Sequence, residues 1–119
     1  MSPATLVNQY LAAFYSGDFP AARDLLADDF HFNGPFVKAT NKESYLIAAA
    51  RLAPVVKGHQ LLRQWEQGNE VCSIYDVNLA TPAGKGSVTM SEWHTIDKHQ
   101  LQSARVIFDT ATFRALMPR

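Results

Sequence analysis

The chain has one cysteine, no excess charge of either sign, and no apolar run long enough to cross a membrane. A lone Cys72 rules out an internal disulfide and fits a reducing compartment. Before its first apolar positions the N-terminus carries no basic residue, and no small-residue cleavage pattern follows a long apolar stretch. No signal peptide or membrane span is read, and a cytoplasmic location is the expectation. Eleven Lys and Arg balance eleven Asp and Glu, without a basic run or stripe. Nucleic acid is therefore not an expected partner. Near-zero net charge does little to oppose self-association. There is no repeat, low-complexity tract or linker, so the expectation is one compact domain over residues 1–119.

What the chain does have is aromatic and apolar residues in amounts that build a core and still line a cavity: 47% hydrophobic, with 7 Phe, 4 Tyr and 2 Trp. The first half reads helical. Ser2-Pro3 is an N-cap followed by proline at the first helical position. Leu6, Tyr10 and Phe14, with Val7 and Leu11, recur at helical spacing. Ser16-Gly17-Asp18 ends that helix and caps a second, short one running to about Ala27. Phe30 and Phe32 alternate with His31 and Asn33 in a short strand closed by Gly34-Pro35. Thr40-Asn41-Lys42-Glu43 matches a capping box and starts a third helix ending near Leu52, ahead of Pro54. From Val55 the period changes to two. Turns at Gly68-Asn69, Pro82-Ala83-Gly84 and Asp97-Lys98-His99 divide the second half into four consecutive antiparallel strands. Thr110–Leu116 reads as a final helical turn capped by Asp109 or Thr110. Helices segregated from a sheet make an α+β domain.

Strand phase decides which side chains meet inside. A three-residue loop at Ala83-Gly84-Lys85 puts Asp76 opposite Glu92, whereas a two-residue Ala83-Gly84 loop puts it opposite Ser91. One residue of slip exchanges the faces. The first choice gathers Val88, Met90, Val106 and Phe108 on one apolar wall and is preferred. Asp76, Glu92 and Val106 then form one row, Asn78, Met90 and Phe108 the next, and Ile74, His94 and Ala104 a third. Asp76, Glu92 and His94 are accordingly the candidate catalytic groups. A carboxylate between apolar walls holds its proton more tightly, and a histidine moves a proton near neutral pH. Phe14, Phe32, Trp65, Asn78, Met90, Val106 and Phe108 are the candidate ligand-lining residues. Tyr10 and Tyr45 could offer a phenol to a ligand carbonyl. His31, His59 and His99 show no metal-ligand spacing, so no metal is expected. On the opposite face, Tyr75, Trp93 and Ile107 are too apolar for water as a group, and a homodimer through that face is expected.

Several segments carry a family likeness: Tyr15-Ser16-Gly17-Asp18, Leu26-Ala27-Asp28-Asp29-Phe30, Gly34-Pro35, Gly68-Asn69-Glu70-Val71, Thr81-Pro82-Ala83-Gly84 and Arg105-Val106-Ile107-Phe108-Asp109. In this order the chain resembles the SnoaL-like branch of the nuclear-transport-factor-two-like superfamily over nearly its whole length. The resemblance implies three helices packed into a strongly curved, mostly antiparallel sheet that forms a conical pocket, with frequent dimers. It also implies cofactor-free acid/base chemistry without a metal, as in ketosteroid isomerase, polyketide cyclases, scytalone dehydratase and limonene epoxide hydrolase. Against the epoxide hydrolase pattern, Asp76 matches one inward acid, and Phe14, Met90 and Phe108 match pocket-lining positions. Ile74 and Val106 stand where that pattern has a basic residue and a second acid. The expected function is that of a small-molecule pocket protein: a cofactor-free isomerase, cyclase, dehydratase or hydrolase acting on a small apolar cyclic substrate. The alternative is a non-catalytic ligand-binding or dimeric interaction module.

Overall fold

The computed structural model describes residues 2–117. Helix α1 (Pro3–Tyr15) starts where the sequence places it, with the Ser2 hydroxyl accepting from the Thr5 amide at 3.1 Å. It buries Leu6, Val7, Tyr10 and Leu11. Helix α2 (Phe19–Asp24) is capped by Asp18. It stops earlier than expected, because Leu26 and Ala27 are already the buried first residues of β1 (Leu26–Asn33). Strand β2 is Lys38–Ala39.

Helix α3 (Lys42–Ala50) uses a different cap from the one anticipated. The Asn41 side chain, not that of Thr40, accepts from the Ser44 amide at 2.9 Å. Glu43 is drawn away to an ion pair with Arg23. A 3-10 turn at Ala53–Val55 contains Pro54 and leads into β3 (Val56–Gln67). Then follow β4 (Glu70–Thr81), β5 (Gly84–Asp97), β6 (Gln100–Phe108) and α4 (Thr110–Leu116).

The sheet is six-stranded, curved and unclosed, in the order β2-β1-β6-β5-β4-β3. The four-strand meander is present, and β1 adds to it in parallel against β6. The helices and the inner sheet face share one core of buried residues, including Leu11, Phe30, Val71, Val77, Val88 and Leu101. Helix α4 closes over the β4–β5 hairpin. The Thr81 hydroxyl donates to the Leu116 carbonyl. A Cβ built on Gly86 would lie 3.0 Å from a Leu116 methyl, so glycine permits that approach.

Two registers settle the faces. Between β5 and β6 the anticipated rows are present: Met90 faces Phe108, Glu92 faces Val106 and His94 faces Ala104. Between β4 and β5 the expectation fails. Thr81 pairs with Gly84, and Asp76 sits opposite Thr89 rather than Glu92. The turn is the two residues Pro82-Ala83. Proline fixes its own φ for the first corner position, and glycine suits the position after the second. Thr81 braces the turn by accepting the Ala83 amide at 3.0 Å. Lys85, expected in the loop, is a strand residue. The parity of β4 is thereby reversed: Val71, Ser73, Tyr75, Val77 and Leu79 are buried, while Asp76 and Asn78 belong to the outer face.

The capping assignment has a direct test. Asn41→Ala removes the acceptor for an orphan amide and is expected to cost about 1 kcal/mol. Thr40→Ala is expected to be near neutral. Urea denaturation of both variants at unchanged m-value separates them; a larger loss in Thr40→Ala would return the cap to Thr40.

Candidate active site

The inner face of the sheet, α1 and α3 enclose an aromatic cavity of about 320 Å³. Tyr10, Phe14 and Tyr15 enter from α1, and Tyr45 comes from the buried side of α3. Phe32 comes from β1, Tyr75 from β4, Met90 and Glu92 from β5, and Val106 and Phe108 from β6. Phe36 and Phe113 pack against Phe108 at the rim, with centroid separations of 5.9 and 5.2 Å.

Among these groups Glu92 is the lining carboxylate. It is 4% exposed, on a strand whose alternation buries Val88, Met90, Glu92 and His94 together. Such a group is stable only when its oxygens find donors. The Tyr75 hydroxyl donates to Glu92 Oε1 at 2.7 Å. Because that hydrogen is committed, the 2.9 Å contact between Tyr15 and Tyr75 runs the other way, with Tyr15 donating to Tyr75. The chain of donation is Tyr15 to Tyr75 to Glu92, and His59 stacks on Tyr15 at 5.2 Å at the end away from the carboxylate.

Tyr10 and Tyr45 form a second phenol pair at 2.5 Å. Two hydroxyls joined by one hydrogen bond keep one hydrogen unspent. No acceptor for that hydrogen appears among the described residues. Burial is the main cause that pushes the phenols of Tyr10, Tyr15, Tyr45 and Tyr75 upward, and the Glu92 charge adds to it for all four. They are therefore protonated donors at neutral pH.

His94 lies beside Glu92 and does not line the cavity. It is fully buried, and its Nε2 is 3.7 Å from Glu92 Oε2. Its ring meets Tyr10 edge-on at 5.8 Å. Neither ring nitrogen has a hydrogen-bond partner among the described residues. Burial lowers its pKa, opposed by the smaller pull of Glu92. Among the described residues no group of three or more His, Cys, Asp or Glu could hold a metal.

The sequence-based candidates separate accordingly. Glu92 and His94 are together on the inner face, and Phe14, Phe32, Met90, Val106 and Phe108 line the cavity. Asp76 is not with them: it accepts from Thr89 Oγ1 at 2.6 Å on the outer face. The correspondence of Asp76 to an inward acid fails for the same reason. Asn78 is exposed and accepts from Ser87. Trp65 pairs with Cys72 and stands on the outer face, 56% exposed. Tyr75, expected outside in a dimer face, is buried and holds Glu92. All four corrections follow from the two-residue turn. The apolar positions Val71, Tyr75, Val77 and Leu79 carry the phase of β4 and would have revealed Tyr75. Tyr15, at a helix end, gave no such signal.

The depressed pKa of His94 makes stability pH-dependent. The unfolded imidazole takes a proton near pH 6.5 while the folded one resists, so its contribution is complete above about 6.5. That contribution falls as pH drops toward the lower folded value. His59, half-buried and also lowered, adds a weaker effect of the same sign. Melting temperatures between pH 7.5 and 5 should fall in the wild type. The slope should flatten in His94→Phe more than in His59→Gln. An unchanged slope in His94→Phe contradicts this assignment.

Comparisons with known proteins agree with this architecture. No curated protein matches the chain significantly. An NTF2-like protein of unknown function from Cytophaga hutchinsonii is 26% identical, with 96% of each chain covered and a TM-score of 0.83. An LEH-like epoxide hydrolase from M. tuberculosis is 19% identical over 96% of this chain and 88% of its own, with a TM-score of 0.81. A putative SnoaL-like polyketide cyclase from Shewanella denitrificans is 15% identical over 96% and 95%, with a TM-score of 0.83. The family model for the SnoaL-like domain matches residues 7–104, and the chain belongs to that family, within the NTF2-like superfamily.

Proposed function

We propose that this protein is a cofactor-free acid/base enzyme acting on a small apolar cyclic molecule, with Glu92 as the proton-transferring group. The observation that carries the proposal is a single lining carboxylate, Glu92, in an aromatic cavity, with one oxygen held by Tyr75. A volume of about 320 Å³ is roughly twice an apolar cavity that accepts benzene, so one or two fused rings fit. Glu92 takes a proton from carbon beside a ring carbonyl. The unspent phenol hydrogen of the Tyr10–Tyr45 pair donates to the oxygen where negative charge develops. Tyr75 positions Glu92 through Oε1, and His94 lies beside Oε2 without a hydrogen bond to it; neither meets the ligand as a base. The fate of the enolate, reprotonation, ring closure or loss of a leaving group, separates isomerase, cyclase and dehydratase outcomes. The similar epoxide hydrolase and polyketide cyclase support small-molecule chemistry on this fold.

Proton exchange tests this reading. In D2O, 2-tetralone should lose its ring α-hydrogens faster with wild-type protein than without it, as followed by proton NMR. Glu92→Gln should slow the protein-dependent rate by about a hundredfold. A ketone that raises the melting temperature without any exchange would instead make the pocket a binding site only.

We also propose a homodimer through the outer sheet face, with a corrected residue set. Trp65, Trp93 and Ile107 are 56%, 49% and 64% exposed, and Arg105 shares the face. Cytoplasmic location remains part of the proposal; no helix among the described residues is long and apolar enough to cross a membrane. Light scattering should give twice the chain mass for the wild type and the single-chain mass for Trp93→Glu. A monomeric wild type would remove the dimer and leave the pocket reading intact.

A further inference from the structure

Two charged side chains line the aromatic cavity: Glu92, 4% exposed, and Arg51, which is exposed. They belong to different parts of the space. Tyr45 and Arg51 are both on the α3 segment, six residues apart, which is about 9 Å along a helix axis. The Tyr45 hydroxyl meets Tyr10 in the buried interior, while Arg51, the C-cap of α3, is exposed. Among the described residues no carboxylate forms an ion pair with Arg51; the Arg and Lys ion pairs found there involve Arg23 and Lys42. A second guanidinium lies near the lining without joining it. Arg114 lies over the Phe36 ring at 5.0 Å, and Phe36 lines the cavity.

We infer that the natural ligand carries an anionic carboxylate on its apolar ring system, bound at the mouth by Arg51. This rests on the pocket reading above and names its ligand class. Arginine offers paired N–H donors that match a carboxylate in two parallel bonds. The Glu92 end repels a ligand anion, and the Arg51 end attracts it. The two charges therefore orient the molecule, with its carboxylate outward and its reactive ring carbon toward Glu92. An aromatic lining alone would admit either end first.

Matched probes test the inference: 2-naphthoate and its neutral isostere 2-naphthamide, titrated by calorimetry. The wild type should bind the carboxylate about fivefold more tightly than the amide, a preference in the range of one solvent-exposed ion pair. Arg51→Gln should bring the two affinities together, and Arg51→Lys should retain part of the difference. High salt should shrink the wild-type preference, since the contact is at the mouth. Equal wild-type affinities, or a preference that survives in Arg51→Gln, would overturn the Arg51 assignment while amide binding still supports the pocket. Failure of the wild type to bind either probe would overturn both the pocket reading and this inference.

Discussion

The two-residue turn at Pro82-Ala83 is the constraint on which the candidate site depends. It pairs Thr81 with Gly84, and every later pair in the hairpin inherits that phase. Tyr75 is inward because of it, and so is the donor that holds Glu92. With one more residue in the turn, β4 would present Asp76 and Asn78 to the core and put Tyr75 in water. The resulting interior would hold two carboxylates without the phenol. Pro82 in the turn and Gly84 just after it thus govern electrostatics some six residues away, because a strand transmits phase without loss.

Given that phase, the interior faces the usual conflict between burial and charge. A carboxylate in an apolar cavity is costly unless its oxygens are satisfied. Tyr75 satisfies one oxygen of Glu92 and is itself supported by Tyr15. The other oxygen faces an imidazole that is 3.7 Å away and without partners. A core selected for stability alone would have apolar residues at positions 92 and 94, where neighbouring Val88 and Met90 already sit on the same face. Replacing buried ionic or polar pairs by apolar ones is often neutral or stabilising. Keeping both groups, with one loosely satisfied, is the arrangement expected when they serve something other than folding.

Much of this was legible in the sequence, for identifiable reasons. Ser2, Asp18 and Asp109 cap helices because short polar side chains precede apolar periodicity. The phase between β5 and β6 was legible because only one parity unites Val88, Met90, Val106 and Phe108. Glu92 and His94 came inward with that wall. The phase of β4 was less legible, because the wall of Val88, Met90, Val106 and Phe108 fixes β5 and β6 but not the length of the turn that joins β4 to them. Gly84 has φ of 146° as the first residue of β5 rather than within the loop. Trp65 and Asn78 then went to the wrong face with Asp76. The strand's own alternation, with Val71, Tyr75, Val77 and Leu79 on one side, was the better guide. The partnership of Tyr15 with Tyr75 joins residues 60 apart, and a lone helix-end tyrosine carries no local trace of it. The parallel pairing of β1 with β6 was likewise hidden, since the pattern within a short strand does not name its neighbour.

Alternation along β5 also divides the surface of the molecule by purpose. Glu92 and His94 are buried beside the cavity, while Trp93 between them is half exposed and donates to Glu70 on the outer face at 3.0 Å. Neighbouring residues therefore belong to environments separated by the thickness of a sheet. Changes at Trp93 alter the outer face without touching an atom of the cavity lining, and changes at Glu92 do the reverse. The coupling that remains between the faces runs through backbone hydrogen bonds shared by β4, β5 and β6. These resist local side-chain loss because each strand interior is paired on both sides. A fold built this way can change its inner face and its outer face independently. The cone itself therefore does not determine function, which lives in the few inward polar residues that the fold carries.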